Sequence, residues 1–272
     1  MRLNARLLLA LAVGCLCEVL PAQASPPYPD ILYLRFNEGA GSSVTNLAQP
    51  GIGSTLTFSA PSPSGWSWIT AGQPLGGGAF RNGSSTTDGL IVGPAPIAAT
   101  PSFTIEAWTP VPGPGAYHYL VSNGCFGALN HLRFLIITAT NPPLVSFGYG
   151  GYTHNWIINS ALVPGAWAHL ALVVDASQSQ VSLYANGNLV GSQAIILNFG
   201  FQILQSTGFA IGATMPASCG VPLGPSAGID ELRIWSGART QAQIQSTYLS
   251  EIAIAQRSMR LGTNGIATGL LP

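Results

Sequence analysis

The dipeptide Asn186-Gly187 constrains this chain more than any other short feature. It separates Gln180-Val181-Ser182-Leu183-Tyr184 from Asn188-Leu189-Val190-Gly191, and Ala168 to Asp175 precedes both. A two-residue hairpin loop of type I′ needs positive φ at both central residues, which asparagine and glycine tolerate best. Three consecutive antiparallel strands are therefore expected here. The same grammar runs along most of the chain. Phe103-Thr104-Ile105-Glu106-Ala107-Trp108 has the period-2 alternation of a half-buried strand. Ile31 to Phe36, Tyr117 to Ser122, His131 to Thr138, Leu144 to Tyr149, Trp156 to Ile158, Phe209 to Gly212 and Gly228 to Trp235 read as further short strands. Ala79 to Arg81 and Leu90 to Val92 flank a turn at Asn82-Gly83-Ser84, and the stretch between Asn37 and about Gly78 reads as polar loop.

One helix is expected. Thr240-Gln241-Ala242-Gln243 has the form of a capping box, with the Thr240 side chain and Gln243 satisfying each other's amides. Ile244, Tyr248 and Leu249 then form a short apolar stripe. Many short strands, Gly/Pro punctuation and one short helix predict an all-β fold: a two-sheet antiparallel β-sandwich, or jelly roll, closed by a C-terminal helix.

The N-terminus reads as an export signal. Arg2 and Arg6 precede an apolar run from Leu7 to Leu16, within the roughly 7–15 residues of a signal core. Ala22-Gln23-Ala24 is an A-x-A cleavage site, so residues 1–24 are expected to be removed. Glu18 and Pro21 break the run well short of the roughly 20 residues of a spanning helix. Lipid anchoring through Cys15, after Ala12-Val13-Gly14, is the alternative. Residues 25–252 are then expected to form the sandwich, with 253–272 a loosely attached tail.

The chain has no lysine, and only 7% of its residues are charged. Cleavage leaves eight acids and seven arginines, a balance that cannot hold nucleic acid by counterion release. It equally disfavours membrane binding, and no membrane insertion is expected after signal cleavage. A surface of Ser, Thr, Asn, Gln and Gly suits hydrogen-bonding ligands outside the cell. Two cysteines remain, Cys125 and Cys219, both in Gly-containing loop sequence. In an oxidising compartment such a pair reads as a disulfide. Closing a loop of about 94 residues would be worth roughly 4–5 kcal/mol. Two free buried thiols are the alternative. The four histidines show no metal spacing.

Four segments, in order, carry a family resemblance. Leu32-Tyr33-Leu34-Arg35-Phe36-Asn37-Glu38-Gly39 is the first, and Phe103 to Trp108 the second. Trp167-Ala168-His169 through Asp175, with Leu183-Tyr184-Ala185-Asn186-Gly187, is the third. Gly228-Ile229-Asp230-Glu231-Leu232-Arg233-Ile234-Trp235, followed by Ala238-Arg239-Thr240, is the fourth. Together they resemble the laminin-G-like jelly roll of the concanavalin A-like lectin/glucanase superfamily. The resemblance implies that the last strand pairs near the first. It also implies a calcium site as an optional feature. Asn46 stands near the family's usual aspartate, Asp88 follows a Gly-Ser turn, and Asp230 lies in the last strand. No cofactor is required.

The superfamily includes glycosidases, whose retaining members need two carboxylates roughly 5–5.5 Å apart. The glucanase pattern E-x-D-x-x-E is missing. Glu106 has no acidic neighbour within ten residues, and the adjacent Asp230 and Glu231 are expected on opposite faces of their strand. The chain therefore reads as a non-enzyme, with a glycoside hydrolase ranked last. A secreted module binding glycan on its concave face or rim loops ranks first, and a protein-adhesion or cell-surface structural module second. Tyr117, Tyr119, Tyr149, Tyr152, His154 and Trp156 are the candidate ligand residues, because sugars offer CH faces to aromatic rings and hydroxyls to polar groups.

Overall fold

The computed structural model describes residues 28–48, 55–57, 66–69, 75, 78–82, 90–92, 100–123, 132–149, 152–158, 162–195, 209–213 and 228–251. Sixteen strands and one helix occur among them. In chain order the strands are β1 (Leu32–Leu34), β2 (Ser43–Thr45), β3 (Thr55–Thr57), β4 (Trp66–Ile69), β5 (Ala79–Asn82), β6 (Leu90–Val92), β7 (Phe103–Pro110) and β8 (Tyr117–Ser122). Then come β9 (Leu132–Ile137), β10 (Leu144–Tyr149), β11 (Tyr152–Ile157), β12 (Trp167–Asp175), β13 (Gln180–Ala185), β14 (Asn188–Ala194), β15 (Phe209–Ile211) and β16 (Gly228–Trp235). Helix α1 spans Gln241–Thr247.

The strands form two large antiparallel sheets. One has eight strands in the order β14-β13-β12-β7-β16-β5-β4, with β1 also pairing β16. The other has six, in the order β11-β10-β9-β8-β15-β6. Strands β2 and β3 form a separate pair. The all-β sandwich with one short helix is thus observed, and the last strand does lie against the first.

Period-2 patterning builds the core. Phe103, Ile105 and Ala107 of β7, Leu170, Leu172 and Val174 of β12, and Leu232 and Ile234 of β16 all enter one buried cluster. Phe134 and Ile136 of β9, with Val145 and Phe147 of β10, meet them from the six-stranded sheet. The Asn186-Gly187 turn has φ of 48° and 76°, as a type I′ loop requires. At one flank the two sheets are tied by side chains. Trp156 Nε1 donates to the Gly191 carbonyl at 3.1 Å, and Gln193 Nε2 donates to the Asn155 carbonyl at 2.8 Å. This links edge strand β11 to edge strand β14.

Three expectations need correction. The segment between Asn37 and Gly78 contains strands: Trp66 and Trp68 belong to β4, which pairs with β5. Second, β5 and β6, read as flanking one turn, belong to different sheets and do not pair with each other. Third, Asp230 and Glu231 do not point to opposite faces. The β16–β7 register shifts between Asp230 and Arg233, and Glu231 has a φ of 51°. The extra residue of this bulge turns Glu231 to the same outward face as Asp230 and Arg233.

Candidate functional site

The outward face of the eight-stranded sheet holds most of the charge that the core region contains. Glu106 occupies an outward position on β7, opposite Ala171 on one side and Arg233 on the other. It is fully buried. It pairs with Arg239 Nη1, and His169 Nε2 lies 3.5 Å from its other oxygen. Burial pushes its carboxyl up, but His169 and Arg239 outweigh that and hold it below the usual range. Glu231 accepts from Arg233 Nη2 at 2.6 Å and from the Tyr33 hydroxyl at 2.8 Å. Asp230 Oδ1 accepts from the Glu231 amide at 2.8 Å, while Oδ2 is buried without a partner. Burial, reinforced by the Glu231 charge, raises Asp230 to about 8, so it is largely protonated at neutral pH.

Helix α1 covers this network and is held by it. Helix ends leave their last carbonyls without intrahelical donors. Here Arg239 Nη2 reaches Gln243 O at 2.7 Å, and Arg233 Nη1 reaches Thr247 O at 2.9 Å. Trp108 Nε1 reaches Tyr248 O and Arg233 Nη2 reaches Ser250 O, at 2.8 and 2.7 Å. Two buried cations and an indole thus satisfy the end where the helix dipole is negative. Ile244 packs on Ala171 and Val173, closing the cover. Trp108 and Trp235 are buried on this outward side, and the Arg239 guanidinium lies 4.0 Å from the Trp235 ring centroid. Attack on a polysaccharide needs carboxylates that the substrate can reach. Glu106, Asp230 and Glu231 are sealed away from solvent, so this arrangement is a latch.

The six aromatic and imidazole candidates fall on both sides of the six-stranded sheet. Period 2 along β11 puts His154 and Trp156 on the inward side. His154 stacks on Phe147 at 6.2 Å, and Trp156 enters the core with Tyr149. These three serve the sandwich interior and its tie to β14, and only the neighbouring Tyr152 is well exposed. Tyr117 and Tyr119 face outward with Leu135 and Ile137. The six do not make one ligand surface, because the sheet itself divides them. On the outward side Arg133 lies across Gly148, where an added Cβ would stand 2.2 Å from its Nε, and it reaches Thr153 Oγ1 at 2.9 Å.

Of the calcium candidates, Asn46 and Asp230 lie among the described residues. Asn46 Oδ1 accepts from the Tyr33 and Ala48 amides at 2.9 and 3.0 Å, so this side chain organises backbone beside β1. Asp230 lies under α1. Asp88, Cys125, Cys219, Cys15 and residues 1–24 and 253–272 lie outside the described residues. No group of three His, Cys, Asp or Glu able to hold a metal occurs among the described residues.

An open concavity lies elsewhere. Three connections meet at one end of the sandwich: residues 111–116 between β7 and β8, 138–143 between β9 and β10, and Ile158 with residues 162–166 between β11 and β12. They enclose a pocket of about 500 Å³, lined by Val111, Pro112, Pro114, Gly115, Thr138, Ala139, Thr140, Asn141, Pro143, Ile158, Leu162 and Pro164. Its floor is the end of the core, since Val111, Ile158 and Leu162 belong to the main buried cluster. Thr138 braces the wall by donating to the Gly113 carbonyl at 2.5 Å and accepting from the Ala116 amide at 3.0 Å. Beneath it the Thr109 hydroxyl lies 2.9 Å from His118 Nε2 and donates to the Gly228 carbonyl at 2.9 Å. The outermost row of the six-stranded sheet, Tyr117-Ile137-Leu144-Ile157, runs beside this rim. Tyr117 is thus the one candidate that sits next to the pocket. Part of the signal for the rest was present: prolines at 112 and 114, at 142 and 143, and at 164 mark three connections, though not that they meet.

A comparison with curated proteins gives no match. Among solved structures, the binding domain of botulinum neurotoxin serotype D is similar at TM-score 0.53 and 12% identity, over 81% of this chain and 50% of that one. The receptor binding domain of the botulinum neurotoxin C/D mosaic serotype gives 0.53 and 12%, over 81% and 51%. The chain spans about half the length of these toxin domains. The CBM40 of a Ruminococcus gnavus IT-sialidase, solved with alpha2,3 sialyllactose, gives 0.44 and 21%, over 54% and 83%. At such identities the likeness is one of fold. The Laminin_G_3 family model, described as concanavalin A-like lectin/glucanases superfamily, matches residues 83–245, more than half of the chain. By fold, strand register and family match together, the chain belongs to the laminin-G-like family of the concanavalin A-like lectin/glucanase superfamily.

Proposed function

We propose that the protein is an exported, non-catalytic binding module that takes a glycan at its rim. The observation that carries this reading is the proline-lined pocket of about 500 Å³. Its size falls within the roughly 300–1,000 Å³ of small-ligand sites. Loops held on a rigid sandwich are where binding function concentrates. Glu106, Asp230 and Glu231, on the outward face of the eight-stranded sheet, are sealed under α1, which favours binding without turnover. Membership of a lectin-containing superfamily supports the reading, and the toxin domains of like fold are themselves binding domains.

The test is retardation of the purified protein in native gels containing neutral polysaccharides, with Thr140→Trp as the blocking variant. Thr140 is exposed at the pocket mouth, so a large ring there fills the site without disturbing the core. At least one polysaccharide should retard the wild type, and the variant should lose about tenfold or more in affinity with an unchanged melting temperature. Equal retardation of both proteins would place the ligand elsewhere. A protein partner is the second reading, favoured by Ile157 and Val163, which are 54% and 61% exposed beside the rim. Crosslinking in the native secretome that recovers a protein through these two residues would support it.

A further inference from the structure

Resting on that reading, we propose that the rim pocket is selective for neutral sugars and rejects carboxylated ones. None of the side chains lining the pocket is charged. Four of them are proline rings, Pro112, Pro114, Pro143 and Pro164, which offer CH surface and no donor. A sugar presents CH faces to such walls and hydroxyls around its edge. The hydroxyls need polar partners, and at the exposed part of the lining Asn141 supplies an amide and Thr140 a hydroxyl oxygen able to accept, its proton turned to the Ile137 carbonyl at 3.4 Å. Thr138 is already engaged with Gly113 and Ala116 and so shapes the wall.

A carboxylate entering this pocket would leave water with no cation to meet it. An unpaired charge taken even partly out of water is penalised, whereas hydroxyls can exchange water for Thr140 and Asn141. The buried cations of the eight-stranded sheet's outward face do not help. The arginines Arg233 and Arg239 are committed to Glu231, Glu106 and the end of α1. Selection against acidic sugars therefore follows from which side chains line the site, not from a repelling negative group.

The experiment compares matched polymers: a neutral glucan and galactan against the same polymers with their primary alcohols oxidised to carboxylates. Retardation is measured for the wild type and for Thr140→Arg, which places a cation at the mouth, with circular dichroism confirming that both are folded. The wild type should bind a neutral polymer at least about tenfold more tightly than its oxidised form. Thr140→Arg should narrow or reverse that ratio. Equal or better binding of the oxidised polymer by the wild type overturns the selectivity and leaves the glycan reading standing. An unchanged ratio in Thr140→Arg also overturns it, because charge would then not be the selector. No retardation by any polymer overturns both the selectivity and the reading beneath it.

Discussion

The outward face of the eight-stranded sheet and the rim of the sandwich divide the chemistry of this protein between them. The first gathers Glu106, Asp230, Glu231, Arg233 and Arg239 in a few buried rows and covers them with α1. The second has a pocket without a charged lining residue, built from prolines, aliphatic side chains and neutral polar groups. In a chain with only 7% charged residues, this concentration is informative. The charges of this cluster hold the fold closed where solvent is excluded, and the rim pocket is left neutral. One face should therefore respond to substitution in stability, and the other in binding.

Glu106→Gln is the strongest way to break that division. It leaves the buried Arg239 without its carboxylate, and removing one partner of a buried pair costs about 3–5 kcal/mol. Chemical denaturation should show a midpoint lowered accordingly, with hydrogen exchange of α1 rising first. Polysaccharide retardation should be unchanged under conditions where the variant is folded. Loss of binding in folded Glu106→Gln would mean that the latch and the rim are coupled.

His118 gives the next effect, and it is one of pH. This side chain is buried near the rim, and burial lowers its pKa from 6.5 to about 4. Between those values the unfolded chain takes up a proton that the folded chain refuses. The His118 contribution to stability is therefore held above pH 6.5 and is lost as pH drops toward 4, by up to roughly 3 kcal/mol at about 1.4 kcal/mol per unit. His154 and His169 are also lowered by burial and add to the slope. The raised carboxyl of Asp230 acts in the opposite direction over the same range, so denaturation midpoints measured from pH 7.5 to 4 should fall more, or rise less, for the wild type than for His118→Gln. Identical slopes would show that His118 is not desolvated as its position implies.

How far the sequence reveals these two regions depends on the range of the physics involved. Strand pairing along β12, β13 and β14 follows from alternation and from Asn186-Gly187, which are local. The capping box at Thr240 is equally local. Strands β2 to β4 are short and lie in sequence rich in Ser, Gly and Pro, so nothing in their own composition marks them. The inward facing of His154 and Trp156 depends on the register of β11 against β10, which composition does not fix. A single bulge reverses the expected direction of Glu231, because one inserted residue flips a side chain of period 2. The latch joins residues more than a hundred positions apart, Glu106 to Arg239 and Trp108 to Tyr248. The rim pocket needs three proline loops to meet, and only the topology brings them together.

The smallest expected effect separates the two ends of α1. Thr240 accepts from the Gln243 amide at 3.3 Å, and Gln243 Oε1 accepts from the Thr240 amide at 2.8 Å. Thr240 is exposed, so water can replace part of what is lost. Thr240→Ala should cost about 1 kcal/mol, the usual worth of such a cap. At its other end the helix is held by buried donors from Arg233, Arg239 and Trp108, for which water is no substitute. The ratio of the two losses, Glu106→Gln against Thr240→Ala in the same denaturation assay, measures where the cover is fastened. A ratio of about three or more places the fastening at the buried arginine end. A ratio near one would mean that the capping box holds the helix as firmly as the network does, and the latch would lose its claim to be what closes this face.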